Sequence, residues 1–104
     1  MSQIPEWREH VGPGWAPILD ELHRDVVALD PDYTVEQVKE KFGSLRAYLT
    51  YRDPAIAALV QAAQQRSAQT CEECGAPGLI RNRRGAIWLQ CLCDTCVQKP
   101  AEPW

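Results

Sequence analysis

Two cysteine pairs carry the clearest chemistry in this chain: Cys71-Glu72-Glu73-Cys74 and, eighteen residues later, Cys93-Asp94-Thr95-Cys96. Zinc takes four ligands in a tetrahedron, and thiolate sulfur is its favoured partner in structural sites. Two residues between cysteines let one tight turn aim both sulfurs at a single ion. Gly75 follows Cys74 directly, where a turn that needs a positive φ costs glycine little. The spacing therefore predicts one zinc ion held by Cys71, Cys74, Cys93 and Cys96. The eighteen intervening residues are enough for a hairpin, with Leu79-Ile80-Arg81 leading out, 82–85 as the turn and 86–92 leading back. That is a zinc ribbon. A catalytic zinc keeps an open position beside three protein ligands, whereas four cysteines close the shell, so the expected role is structural.

Other cysteine chemistries fit poorly. A redox CxxC needs a site that stabilises the thiolate, and Glu72 and Glu73 work against it. A zinc nucleobase deaminase needs His-x-Glu and Pro-Cys-x-x-Cys. His10 is followed by Val11-Gly12, His23 by Arg24-Asp25, and neither pair follows a proline. Cys91 would break the two-residue spacing as a ligand and reads as a small residue on the return strand, since free cysteine is readily buried. His23 reads as a solvated surface residue. No Ser, Cys or Lys nucleophile stands in a recognisable catalytic motif, and no glycine loop has the strand–helix setting of a phosphate cradle. The chain reads as a non-enzyme.

Two further sets of residues are candidates for contact. Arg81, Arg83 and Arg84 gather at the expected hairpin tip, where they could touch phosphate. Lys39, Lys41 and Arg46 could assist them. The alternative for the arginines is a soluble turn. Of the four tryptophans, Trp15 and Trp88 lie in periodic segments and are expected in the core. Trp7 and Trp104 lie in irregular ends, where they either fold back or contact a partner, tryptophan being enriched at interface hot spots.

The elements that must position these residues follow from periodicity. Residues 1–14 hold Pro and Gly and read as an irregular arm. From Trp15 to Leu29, apolar residues recur at helical spacing between Asp20, Glu21, Arg24 and Asp25, and Pro17 is tolerated in the first turn. Asp30-Pro31-Asp32 ends that helix. Leu45, Ala47, Leu49 and Tyr51 alternate with polar neighbours as in a half-buried strand. Thr34 to Lys41 is expected to pair with it through a turn at Phe42-Gly43-Ser44, a helical turn being the alternative for this segment. Asp53-Pro54 then opens a second helix, with Asp as its cap, running to about residue 69. The tail, 97–104, is expected to be extended.

The whole chain has 104 residues, with 11 basic and 14 acidic side chains. That is one small domain, of a size at which cross-links help. A mildly acidic chain is not built to coat nucleic acid broadly. The N-terminus lacks a basic region followed by an apolar run, and no stretch has the length of a membrane span. The expected location is therefore the cytoplasm, with no membrane contact, and there paired cysteines read as metal ligands before disulfides.

Gly14-Trp15 with its Leu-rich helix, the segment Val38-Lys39-Glu40-Lys41-Phe42-Gly43-Ser44-Leu45-Arg46-Ala47-Tyr48, then Thr70-Cys71-Glu72-Glu73-Cys74-Gly75 and Leu92-Cys93-Asp94-Thr95-Cys96 resemble a group of uncharacterised small zinc-ribbon proteins of bacteriophages and bacterial genomes. The VKEKFGxLRxY stretch is the distinctive part. In such proteins the last ligand is often His, and Cys96 is an equivalent donor. The resemblance implies a phage or prophage-type source and favours Cys93 over Cys91.

The expectation is thus an α+β fold: an arm (1–14), a helix–β-hairpin–helix part (15–70), a four-cysteine zinc ribbon with its own hairpin (71–96) and a tail (97–104), packed as one unit. The leading functional expectation is an accessory protein that binds and modulates a host or phage protein without catalysis. The alternative is a zinc ribbon that binds nucleic acid through its hairpin arginines.

Overall fold

The computed structural model describes residues 2–83 and 88–99. Two helices and two antiparallel hairpins make a small mixed α/β domain: α1 (Ala16–Leu29), β1 (Thr34–Lys41), β2 (Ser44–Thr50), α2 (Ile56–Ser67), β3 (Leu79–Asn82) and β4 (Leu89–Leu92). The main core lies between the helices and the first hairpin. Ile18, Leu19, Leu22 and Val26 of α1 meet Val38 of β1, Leu45 and Ala47 of β2, and Ile56 and Ala63 of α2.

The first hairpin follows from its alternation. Val38, Leu45 and Ala47 point inward and are buried, and Lys39 stands directly opposite Arg46 on the outer face. Its two-residue turn has positive φ at both positions, 54° at Phe42 and 84° at Gly43, the mirror-image turn whose twist suits a hairpin. The Gly43 N–H donates to Glu40 Oε2 (2.6 Å). A Cβ on Gly43 would come within 2.9 Å of the Ile80 side chain, so this turn is packed against the second hairpin.

Strand β2 would otherwise present unpaired N–H groups along its outer edge. Helix α2 satisfies them with side chains. Leu45 N–H donates to Ser67 Oγ (2.8 Å), and Ala47 N–H donates to Gln64 Oε1 (3.3 Å). Ser67 is fully buried, which a serine tolerates because its hydroxyl also donates to the Gln64 carbonyl (2.6 Å).

Several expectations need correction. Residues 1–14 are not an irregular arm: Ile4–His10 forms a 3-10 helix and Pro13–Trp15 a second short one. Side-chain bonds hold the segment down. Gln3 Nε2 donates to the carbonyls of Pro31 and Tyr33, and Ile4 N–H donates to the Tyr33 hydroxyl (3.0 Å). The Val35 N–H donates to the Ser2 carbonyl (2.9 Å), and Ile4 is fully buried. Helix α2 begins at Ile56, later than Asp53-Pro54, because Asp53 Oδ1 closes a turn on the Ala55 N–H (2.9 Å) before the helix starts, and it ends at Ser67. His23 is half-buried, its ring bonded to the Tyr33 hydroxyl. Trp15 is in the core, as its periodicity implied, but Trp88 is 41% exposed at the entry to β4.

The loop after α1 has an anchor that composition does not reveal. Asp30 is buried and takes hydrogen bonds from Arg52 Nη2 (2.7 Å), the Arg52 N–H (3.0 Å) and the Asp32 N–H (3.1 Å). The Arg52 bonds hold its carboxyl down at about 2. Among the described residues no helix is long and apolar enough to cross a membrane.

Candidate metal centre

Each cysteine pair sits in a tight turn fixed by its own backbone. In the first, Cys71 N–H donates to the Ala76 carbonyl (2.7 Å) and Gly75 N–H to the Cys71 carbonyl (2.9 Å). Gly75 takes a φ of +82°, the conformation its lack of Cβ permits. In the second, the Cys96 N–H points at Cys93 Sγ (3.4 Å), and the Val97 N–H donates to the Cys93 carbonyl (3.0 Å) as the chain enters the 3-10 helix Cys96–Gln98. Strand β4 delivers Cys93, and the end of α2 delivers Cys71 through Thr70.

These turns bring the sulfurs of Cys71, Cys74, Cys93 and Cys96 within 4.8 Å of one another. Cys74 and Cys93 are 3.6 Å apart. A tetrahedron with metal–sulfur bonds of about 2.3 Å has sulfurs about 3.8 Å apart. None of the four is in a disulfide, which would need a sulfur–sulfur distance of about 2.05 Å. The donor set therefore fits a tetrahedral, thiolate-preferring metal ion, and all-sulfur sets of this kind suit zinc or iron. The Cys96 N–H bond draws the Cys93 thiol down to about 6. Burial pushes the Cys96 thiol up, with Cys93 and Cys71 adding to it. A group of four thiolates at one point requires a cation, and a bound divalent metal deprotonates such thiols.

Cys91 stands outside this group. It is buried in the main core, with its thiol pushed up to about 11 by burial. Its position one residue from Leu92 sends it to the opposite face of β4, away from the cysteine cluster that Leu92 joins.

The arginines of the second hairpin hold it to the cysteine turns. Arg81 Nη1 bonds Asp94 Oδ1 (3.1 Å), and Arg83, only 5% exposed, pairs with Glu73. Each acidic residue lies inside one of the Cys-x-x-Cys turns. Arg83 is thus not an exposed phosphate finger: its guanidinium is buried beside the Glu73 carboxylate. Arg84 lies outside the described residues, as does Trp104. Trp7 is half-buried against the core, its indole N–H on Ser2 Oγ (2.8 Å) and its ring tilted against that of His10. It folds back and does not project towards a partner.

Two residues at the centre's flank gave no sequence signal. Glu72 is buried and accepts from Gln90 Nε2. Burial, with Glu40 nearby, pushes its carboxyl up to about 7. As one of two adjacent acids, Glu72 looks like a solvated turn residue; the approach of β4 and of the Gly12–Gly14 backbone covers it. The centre is also tied to the helical part. Gly14 N–H donates to the Glu72 carbonyl (2.7 Å) and Trp15 Nε1 to the Thr70 carbonyl (2.8 Å). A Cβ on Gly14 would fall 2.1 Å from the Cys71 carbonyl oxygen, so only glycine allows this approach.

Comparison with models of known protein families, with curated proteins and with solved structures gives no match.

Proposed function

We propose that this chain is a small accessory protein of phage or prophage type, stapled by one structural zinc ion, that binds another protein in the bacterial cytoplasm and modulates it without catalysis. The observation that carries the reading is where apolar surface is left uncovered. Of the seven large apolar side chains exposed among the described residues, five lie at the Phe42 turn and on the second hairpin: Phe42, Leu79, Ile80, Trp88 and Leu89. Phe42 is 66% exposed and Leu79 63%. Ile80 packs beside the turn that carries Phe42, and Leu89 lies diagonally across from Ile80, so Phe42, Ile80 and Leu89 share one end of the molecule. An apolar surface on a rigid, metal-held frame fits an apolar segment of a second protein. Four cysteines leave the metal no open position, which supports a scaffold role.

The test is affinity capture with nuclease-treated bacterial lysate, using the wild type beside a Phe42→Ser/Leu89→Ser double variant and an Arg81→Ala control. Metal content is measured on each. The expected result is one zinc per chain throughout, and a stoichiometric protein partner that is lost only with the double variant. A partner retained by that variant would rule out this surface. Concentration-dependent self-association abolished by the same substitutions would show that the surface serves a second copy of the chain.

A further inference from the structure

The outer face of the first hairpin carries cations that the fold does not pair. Strand alternation puts Lys39 and Lys41 of β1 on this face with Arg46 and Tyr48 of β2. Lys39 and Arg46 are directly opposed across the ladder. Like charges in that position weaken a hairpin, so an opposite charge between them would be stabilising. Among the described residues none of the three cations has a salt-bridge partner. Arg46 Nε is shielded from solvent and faces no acceptor. The nearest acid on this face, Glu36, stands at the far end of the hairpin, where Thr50 Oγ1 donates to it (3.1 Å), while Glu40, between the two lysines, lies on the opposite face and takes the Gly43 N–H. Arg46 and Thr50 are four residues apart along β2, or about 13 Å, beyond the reach of an exposed charge at physiological salt.

Aromatic rings lie among these cations. Lys39 Nζ is 5.8 Å from the centre of the Tyr48 ring, and Lys41 Nζ is 5.6 Å from that of Phe42. Tyr48 is exposed, and Phe42 is held out at the turn in a left-handed backbone conformation that a bulky residue rarely adopts. An anion for this surface must offer negative charges at intervals along a strand and flat faces to lie on the rings. Single-stranded nucleic acid has both features, and it binds other proteins by this combination of cations and stacking rings. An acidic peptide supplies the charges alone.

We infer that the outer face of the first hairpin, through Lys39, Lys41, Arg46, Tyr48 and Phe42, is a binding surface for single-stranded nucleic acid. Three phosphate contacts give modest, salt-sensitive affinity, with log K falling against log salt at a slope of about −2, from roughly 0.7 per contact. This surface is separate from the hairpin arginines Arg81 and Arg83, which are engaged at the metal centre.

The experiment is fluorescence anisotropy of the zinc-loaded chain with labelled DNA and RNA single strands of about 12 nucleotides, titrated from about 25 to 200 mM salt. Saturable binding with that slope is expected for either strand. Lys39→Glu should weaken it about tenfold while leaving the fold intact, because it turns the Lys39–Arg46 repulsion into attraction. Tyr48→Thr should weaken binding without changing the slope, and Arg81→Ala should leave it unchanged. Absence of saturable binding at the lowest salt would overturn the inference. So would unchanged binding by folded Lys39→Glu, or displacement by polyglutamate as effective as by unlabelled strand. Because Leu89 takes no part, Leu89→Ser should retain this binding even if it abolishes protein capture.

Discussion

The two hairpins of this protein are held in different ways. The first, β1–β2, has one face in the main core, and α2 side chains occupy the outer edge of β2. The second, β3–β4, has four residues per strand and leaves Leu79, Ile80 and Leu89 exposed. It gains its order from the cysteine group below it and from the Arg81–Asp94 and Arg83–Glu73 pairs. A hairpin with an apolar face and a covering helix is stabilised by burial. One that is too short for that gains from a cross-link, which a metal ion held by the four cysteines would supply.

The largest expected effect breaks the second hairpin alone. Stripping the metal with a chelator, or replacing Cys93 by Ser, should remove a contribution on the order of 10 kcal/mol, the scale seen for structural zinc in small peptides. Hydrogen exchange should show residues 71–99 losing protection first. The damage should then spread to 12–15, because Gly14 and Trp15 bond to Glu72 and Thr70. Leu45→Ala tests the other mode, removing a fully buried side chain of the first hairpin. It should cost about 2–5 kcal/mol by chemical denaturation without lowering metal content. Ile80→Ala, at a half-exposed site of the second hairpin, should cost much less.

Smaller effects sharpen the contrast. Ser67→Ala leaves the buried Leu45 N–H without an acceptor and should cost about 1–3 kcal/mol, again with the metal retained. Asp30 gives an acid signature to the helical part. Its folded pKa of about 2 lies below the usual carboxylate value, so the unfolded chain binds the proton more readily. The stabilisation is therefore present above about pH 4 and lost as pH falls towards about 2. Asp30→Asn should flatten that part of the pH–stability curve. Arg81→Ala should cost under about 1 kcal/mol, since its partner Asp94 is almost fully exposed. A loss several times larger would mean that this pair helps to set the sulfur geometry.

The secondary structure was largely legible because it rests on local patterns. Helical spacing marks α1, alternation marks β2, and Phe42-Gly43 marks the turn between strands. The cysteine group was legible for a similar reason: two-residue spacing and Gly75 are local requirements of a turn that aims two sulfurs at one point. The arm was misread because its order comes from bonds to residues about 30 positions away, through Gln3, Ile4 and Tyr33. Trp88 was misread because periodicity cannot tell whether a second layer covers a strand.

What the sequence determined by itself is therefore which four cysteines gather, Cys93 among them and not Cys91, and most of the elements, all of which depend on neighbours close along the chain. The tertiary structure alone decided which charges are paired. Arg83 and Arg81 meet Glu73 and Asp94 because the cysteine turns bring those acids under β3, whereas Lys39, Lys41 and Arg46 share a face on which, among the described residues, no acid pairs with them. Charge pairing across a fold depends on which surfaces pack together, and that is set by the burial of apolar residues elsewhere in the chain.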